Sequence, residues 1–314
     1  MAKIAVNVRR ELTERLGSRG MAPPARKYLA RGEGWSIADV ICHAGPRDRA
    51  FEEQHANVSI GIVVEGSFQY RSSPGRELMF PGSLLLGNAG QYFECSHEHA
   101  VGDRCMAFAY DEHYFESLAA EASIQTRSAP FRLLRLPPLR ELSSLTSRAF
   151  AQVRQGEAPP NLDDEEESQD ALTSGREAWE EIVLELASRT VELANAGKST
   201  GESSLAAEAR VTRVVRMIEA GGGSGHNLAS LAQEAKLSRY HFLRVFQHLT
   251  GVTPHQYVLR TRLRSAATRL VLRRTPILEI ALDCGFGDVS NFNHVFRGEF
   301  GVTPSDYRKQ RLSA

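Results

Sequence analysis

Two short segments fifty residues apart carry side chains suited to reading the edges of DNA bases. Arginine can donate two parallel N–H groups to guanine, Asn or Gln can do the same for adenine, and apolar groups contact the thymine methyl. The first segment carries Arg239, Tyr240, Leu243, Arg244, Gln247 and His248. The second carries Ser290, Asn291, Asn293, His294 and Arg297. The alternative for any one of these residues is a solvated helix face, but the two sets together favour DNA recognition.

A second group of reactive side chains lies in QYFECSHEHAVGDRCMAFAY, residues 91–110. If residues 91–97 and 103–110 form a hairpin centred near Ala100, then Cys95 faces Cys105 and His97 faces Asp103. Cys95, His97 and Cys105 are therefore candidate sensor residues, with a structural role, thiol oxidation and metal binding as open alternatives. The chain has only four cysteines, which are too few and too scattered for a disulfide framework.

The elements that must position the base-reading residues follow from an internal repeat. Residues 238–257 and 288–307 share 8 identities in 20 aligned positions, including GVTP at 251–254 and 301–304. In each copy a short helix (228–236 or 277–284) precedes a cap residue, Ser238 or Asp288, which begins a second helix. Glycine at the end of that helix suits a left-handed cap, and proline can open the next helix. The repeat predicts two helix-turn-helix units, at about 228–250 and 277–300.

A single connecting helix is predicted between the two units, from Pro254 to Arg274. Its length of roughly 30 Å is close to one turn of DNA, about 34 Å, so both units could enter successive major grooves. It also carries several arginines, some of which are expected to contact phosphates: Arg260, Arg262, Arg264, Arg269, Arg273 and Arg274.

Residues from about 208 to 311 resemble the DNA-binding domain of the AraC/XylS family of bacterial transcription regulators. The family signature is filled by the second unit, IALDCGFGDVSNFNHVFRGEFGVTPSDYRKQR. The resemblance implies that bases are reached from Tyr240, Leu243, Arg244, Ser290, Asn291 and His294, although family members often have Arg or Lys near the position of His294. It also implies a cupin-like β-barrel that binds an effector, two helices that pair two chains, and RNA polymerase as a partner.

The N-terminal half fits that plan. Residues 34–110 contain short alternating strands separated by Gly-bearing turns, which is typical of a small sandwich or barrel. Helical spacing follows at about 138–155 and 171–195, where the helix around Trp179–Leu193 is either a dimer seam or an intradomain packing face. The acidic run 157–170 predicts a solvated loop, and a polar linker ends near 200–205.

These observations predict an α+β multidomain chain. Residues 1–200 form an effector-sensing and dimerisation domain (barrel about 34–110, helices about 138–195), and residues 205–314 form an all-α DNA-binding domain. The C-terminal part holds 16 Lys and Arg against 8 Asp and Glu, so residues 1–204 hold 22 against 30. That asymmetry favours a polyanionic partner for the basic half. The chain lacks a long apolar run and an apolar secretion signal, which predicts a cytoplasmic protein.

The function predicted from the sequence is a homodimeric, sequence-specific transcription regulator, more often an activator in this family, that responds to an unknown small-molecule or redox effector. Two alternatives stay open: a constitutive DNA-binding dimer, and a cupin-type metalloenzyme fused to a DNA-binding module. His97-x-His99 with Asp103 loosely resembles a cupin metal site but follows the PGSLLL segment instead of preceding it. No catalytic residue, metal or cofactor is therefore predicted.

Overall fold

The computed structural model describes residues 24–48, 50–99, 101–121, 130–155, 169–197, 204–223, 225–272 and 274–312. Nearly all of the predicted acidic loop and most of the predicted linker lie outside these ranges, as do Ala100 and Arg273. Among the described residues nine strands come first, one further short strand lies between the first two helices, and the C-terminal part is helical.

The larger of two antiparallel sheets has six strands. These are β1 (Ala25–Gly32), β2 (Trp35–Cys42), β4 (Val58–Gly66), β7 (Leu84–Gly87), β9 (Asp103–Tyr110) and β10 (Arg135–Leu136). Their order across the sheet is β1-β2-β9-β4-β7-β10. Apolar residues alternate along the central strands, so one face of this sheet is buried. The sequence predicted β2, β4, β7 and β9, but not β1 or β10.

The smaller sheet has four strands, β3 (Phe51–Gln54), β5 (Phe68–Ser72), β6 (Gly75–Met79) and β8 (Tyr92–Ser96), in the order β3-β8-β5-β6. The predicted hairpin of residues 91–97 with 103–110 is wrong, because β8 pairs with β3 and β5 while β9 pairs with β2 and β4. The described strands thus form two sheets instead of one closed barrel.

Three helices cover the larger sheet: α1 (Glu112–Glu121), α2 (Ser143–Gln155) and α3 (Gln169–Ala196), with a short 3-10 turn at Arg140–Leu142. The apolar face of α3 belongs to the core of this sheet, and Ile182, Val183 and Leu186 are buried there. The Tyr110 hydroxyl on β9 donates a hydrogen bond to the Val183 carbonyl at 3.0 Å. Of the two roles predicted for this helix, its apolar face serves intradomain packing.

The C-terminal part contains α4 (Leu205–Ala220), α5 (Leu228–Glu234), α6 (Arg239–Thr250), α7 (Pro254–Leu272), α8 (Ile277–Asp283), α9 (Val289–Phe300) and α10 (Pro304–Leu312). It packs as two clusters around α7. Phe242 and Phe246 lie in the first cluster, which also contains Leu78 of β6 and Phe80, which follows the end of β6. Phe292 and Phe296 lie in the second, which also contains Ala151 from α2. Both helical clusters are thus completed by residues of the N-terminal half.

Candidate nucleic-acid interface

The first recognition helix, α6, begins and ends where the repeat predicted. The Ser238 hydroxyl accepts a hydrogen bond from the His241 amide at 3.3 Å and caps the helix. Gly251 ends it in the left-handed region at φ 75°, which glycine adopts without steric cost. Between these ends Phe242, Phe246 and Leu249 are buried, so the opposite face of α6 is directed outward.

The second recognition helix, α9, repeats this construction. The Asp288 carboxylate accepts a hydrogen bond from the Asn291 amide at 2.7 Å, and Gly301 ends the helix at φ 78°. Phe292, Phe296 and Phe300 are buried at the same spacing. The sequence prediction of two helix-turn-helix units is confirmed, including both caps and both glycine ends.

The outward faces of α6 and α9 carry the predicted base-reading residues. Leu243 is half-buried, and every other member of the two sets is exposed. The Tyr240 side chain is 70% exposed, and the Arg244 guanidinium lies 5.9 Å from the centre of its ring. The Arg244 cation thus lies beside an aromatic ring at the helix surface. The first face is therefore aromatic and cationic, whereas the second is mainly neutral and polar.

A groove of about 810 Å³ lies beside the first face, between α6 and the start of α4. Its walls include Tyr240, Arg244, Gln247 and His248 from α6, and Ser204 and Ala207 from the neighbouring segment. Four of the predicted base-reading residues thus line a concave surface.

Four arginines of α7 bond within the protein, a role that the sequence prediction did not include. Arg262 donates to the carbonyls of Gly223 at 2.8 Å and Gly285 at 3.1 Å, and so joins the loop before the first unit to the turn of the second. Arg264 pairs with Glu219, and Arg269 pairs with Asp283. Arg260 is paired as well, as described below, whereas Arg274 is exposed. The sequence showed the charges but not their carbonyl and carboxylate partners.

Residues 135–143, named here the bridging segment, contact the C-terminal end of the first recognition helix. Arg135 is buried, pairs with Glu77 at 3.0 Å and donates to the Thr250 carbonyl at 3.3 Å. Burial lowers the pKa of Arg135, and Glu77 opposes that shift. At Gly251 an added Cβ would lie 2.6 Å from Pro137. This end of α6 therefore fits closely against the bridging segment.

The same bridging segment contacts the second recognition helix. Ser143 donates a hydrogen bond to Glu299, which precedes the last residue of α9. Arg260 pairs with Glu299 at 3.1 Å and donates to the Pro138 carbonyl at 2.7 Å. Both recognition helices are thus contacted near their C-terminal ends by Arg135, Pro137 and Ser143 of one short segment of the N-terminal half.

The smaller sheet makes a further contact with the helical part. Glu208 of α4 is buried, pairs with Arg76 at 2.8 Å and accepts a hydrogen bond from Gln69. Phe80 packs edge-on against Tyr257 of α7, with ring centres 5.8 Å apart. These contacts connect the smaller sheet to the first unit.

The predicted sensor residues do come together, although not through a hairpin. His97 Nε2 lies 2.6 Å from Asp103 Oδ2, and the Cys105 thiol donates to Asp103 Oδ1 at 3.4 Å. Burial lowers the pKa of His97, but the bonded Asp103 and the neighbouring Cys42 outweigh burial and raise the pKa to about 9.

Burial also raises the pKa of Cys95 and of Cys105, and the nearby Asp103 adds to both shifts. The thiolate is the reactive form, so this environment disfavours direct oxidation of the two thiols. Sequence reasoning missed Cys42, whose thiol lies near His97 and Asp103. Cys42 could have been found only by predicting the register between β2 and β9, in which Cys42 pairs with Asp103.

Among the residues that the structure describes, no helix combines the length and apolar character needed to cross a bilayer.

Comparisons with known proteins match the helical part. A model of a helix-turn-helix domain family matches residues 231–310. The regulatory protein SoxS of Salmonella typhimurium is 38% identical over 82 residues, which cover 26% of this chain and 77% of SoxS. The probable transcriptional regulator LumQ of Photobacterium leiognathi is 38% identical over 82 residues, which cover 26% of this chain and 33% of LumQ.

A solved transcriptional regulator of Chromobacterium violaceum, described as having an AraC-type DNA-binding domain, is 29% identical. The alignment covers 34% of this chain and 96% of that one, with a TM-score of 0.32. The chain spans about a third of the length of the first curated relatives that it matches.

Proposed function

Because the chain belongs to the AraC family of transcriptional regulators, we propose that it regulates transcription by binding a specific DNA sequence through α6 and α9. The observation that carries this proposal is the pair of capped recognition helices, each with one buried apolar face and one exposed polar face. An exposed polar face on such a helix is what enters the major groove in helix-turn-helix proteins.

The two helices have different roles in this proposal. The first contributes Arg239, Tyr240, Leu243, Arg244 and Gln247, and the second contributes Ser290, Asn291, Asn293, His294 and Arg297. Arg244 is assigned to guanine because it is exposed on the outward face and lies beside the Tyr240 ring. Asn291 and Asn293 are assigned to adenine on the same chemical grounds. The second helix supplies fewer cations, so more of its contribution comes from neutral hydrogen bonds.

We also propose that residues 1–200 form a cupin-like, effector-responsive and dimerising unit, and that residues 205–314 form the DNA-binding unit. An effector must bind the DNA-competent arrangement more tightly than the other arrangement to shift the equilibrium between them. The bridging segment supports such a coupling, because it contacts the ends of both recognition helices. Activation through contact with RNA polymerase is the output that we propose.

The test is binding of the purified full chain to the DNA upstream of its own gene, compared with a shuffled sequence of equal length. Fluorescence anisotropy over a range of salt concentrations separates phosphate contacts from base reading. We expect tighter binding to the native sequence, and an Arg244→Ala loss of about 5- to 150-fold confined to that sequence. Equal affinity of the wild type for both DNAs would contradict the proposal.

The matched control is Arg71→Ala, because Arg71 is exposed on β5 in the N-terminal half. Its affinity should equal that of the wild type. If Arg244→Ala lowers binding to both DNAs equally, then Arg244 contacts phosphate and its assignment to guanine is wrong. Repeating the titration with reduced, peroxide-treated and metal-stripped protein tests the response to an effector.

A further inference from the structure

Three side chains of metal-ligand type meet where the two sheets face each other. Cys42 lies at the end of β2 and Asp103 at the start of β9, where the two residues pair across the larger sheet. His97 follows β8 of the smaller sheet. One ligand atom from each residue lies within 4.8 Å of the other two, and all three residues are buried.

The hydrogen bonding of this cluster leaves one ring nitrogen unaccounted for. His97 Nε2 bonds to Asp103 Oδ2, whereas His97 Nδ1 is buried without a hydrogen bond of good geometry among the described residues. The Cys42 thiol also interacts with the His97 side chain. The side chain of His97 is only 1% exposed, so water does not satisfy this atom from the surface. A buried polar atom without a partner is unusual in a folded protein and points to a missing ligand.

We propose that Cys42, His97 and Asp103 form a binding site for a zinc-class divalent ion. Thiolate, imidazole and carboxylate are the ligands that zinc takes in proteins, and a mixture of sulfur, nitrogen and oxygen excludes magnesium and calcium. Ligand atoms around a tetrahedral zinc lie roughly 3.5 Å apart. The three ligand atoms here lie within 4.8 Å of one another, so each side chain would have to move by only about an ångström to bind the ion.

A carboxylate bonded to the ring of a ligating histidine is also a common arrangement around zinc. Asp103 can therefore serve either as a direct ligand or as the partner that orients His97. The fourth position is open to water or to Cys105, whose thiol lies 3.4 Å from the other Asp103 oxygen. Binding displaces the Cys42 thiol proton and one ring proton of His97 to solvent, because thiolate and neutral imidazole are the ligating forms.

This site is distinct from the DNA-reading surface and does not depend on it. Its ligands join the larger sheet to the smaller sheet, which in turn contacts α4 and α7 through Arg76 and Phe80. An ion there would hold together two sheets that, between β8 and β9, have no strand pairing in the described residues.

The experiment loads the chelator-treated full chain with ZnCl₂, removes excess ion by gel filtration and measures zinc per chain by mass spectrometry. We expect about one zinc per chain for the wild type. Cys42→Ser and His97→Gln should each lose most of it. Cys284→Ser is the matched control, since Cys284 is a buried thiol in the helical part and should leave zinc content unchanged.

Replacement of zinc by Co²⁺ keeps the proposal testable if a variant fails to fold. Coordination by Cys42 predicts a thiolate-to-cobalt charge-transfer band in the near ultraviolet spectrum of the wild type. No retained zinc and no such band in folded wild-type protein would overturn the proposal. Full zinc content in folded Cys42→Ser and His97→Gln variants would overturn it as well.

Discussion

The two helix-turn-helix units have the same interior but different surroundings. Each buries two phenylalanines at the same spacing and ends its recognition helix at a glycine with positive φ. The first presents Tyr240 and Arg244 outward and is joined at its end to Arg135. The second presents neutral side chains around His294 and is joined through Glu299 to Ser143 and Arg260.

The comparison separates the features that both helix-turn-helix units keep from those in which they differ. The buried ring spacing, the cap and the terminal glycine determine whether the helix forms and where it ends. The outward face and the contacts of the helix end are set separately. They can therefore change without altering the unit itself, and they are where the two copies diverge.

The largest difference between the units is expected at their anchoring arginines. Arg135→Ala removes a cation that faces buried Glu77, and breaking such a buried pair costs about 3–5 kcal/mol. Arg260→Ala is expected to cost less, because Glu299 keeps its hydrogen bond from Ser143 and the Arg260 side chain is more exposed. Urea unfolding of both variants measures the two losses. Equal losses would show that the two anchors are equivalent.

The terminal glycines separate the intrinsic cost of the left-handed cap from the cost of the anchor. Gly301→Ala should lower the free energy of unfolding by about 1–2 kcal/mol through backbone strain. Apart from the glycine and its chain neighbours, no atom of the described residues lies within 4 Å of the added Cβ. Gly251→Ala adds a collision with Pro137, for a total of about 2–4 kcal/mol.

The measurement is thermal unfolding of both glycine variants beside the wild type. A Pro137→Gly background provides the control, because it removes the Pro137 Cβ and Cγ that the added Cβ would meet at 2.6 and 2.9 Å. It should reduce the excess cost of Gly251→Ala and leave the cost of Gly301→Ala unchanged. If Gly251→Ala is no worse than Gly301→Ala, the close packing against Pro137 has no energetic consequence.

A smaller difference in stability is expected between substitutions of the two N-terminal caps, Asp288 and Ser238. Asp288→Ala and Ser238→Ala should each cost about 1 kcal/mol, with the larger loss at Asp288. The Asp288 hydrogen bond is shorter, 2.7 Å against 3.3 Å, and its carboxylate also interacts with the helix dipole. Urea unfolding in low and high salt tests this, because only the Asp288 effect should shrink with salt. Glycine replacements serve as controls and should cost only a few tenths of a kcal/mol.

The smallest effect is expected from a substitution that makes the outward face of α9 resemble that of α6. His294→Arg adds a cation to the exposed face of α9 and should tighten DNA binding by about threefold at low salt. The gain should fall as salt rises, which anisotropy titrations would show. His113→Arg is the control, since the His113 side chain is 99% exposed on α1. An unchanged affinity for His294→Arg would place that position away from the phosphates.

Sequence predicted the helical part well because its signals are local. Ser238, Asp288, Gly251 and Gly301 act through hydrogen bonds and backbone angles within one or two turns, and the repeat shows them twice. Strand pairing is not local in this way. Cys95 and Cys105 lie ten residues apart on strands of different sheets, and nothing in their alternation reveals that β8 pairs with β3 and β5.

The hydrogen-bond and ion-pair partners of charged side chains could not be predicted from the sequence either. The sequence placed Arg262 among the arginines of the connecting helix that were expected to contact phosphates. In the structure it bonds to the carbonyls of Gly223 and Gly285. Cys42 lies near His97 and Asp103 because β2 pairs with β9, although about sixty residues of chain separate Cys42 from Asp103. Periodicity assigns such residues to a face, whereas tertiary structure decides what lies opposite that face.

The bridging segment has a consequence for how such a protein can evolve. A helical part of this kind could be exchanged freely only if it made no specific contacts with the rest of the chain, but here Arg135, Pro137 and Ser143 contact the ends of both recognition helices. A recombination event that imported residues 204–312 from a relative would bring foreign side chains against Arg135, Pro137 and Ser143. The two halves are therefore expected to be inherited as a matched pair, with substitutions in one compensated in the other.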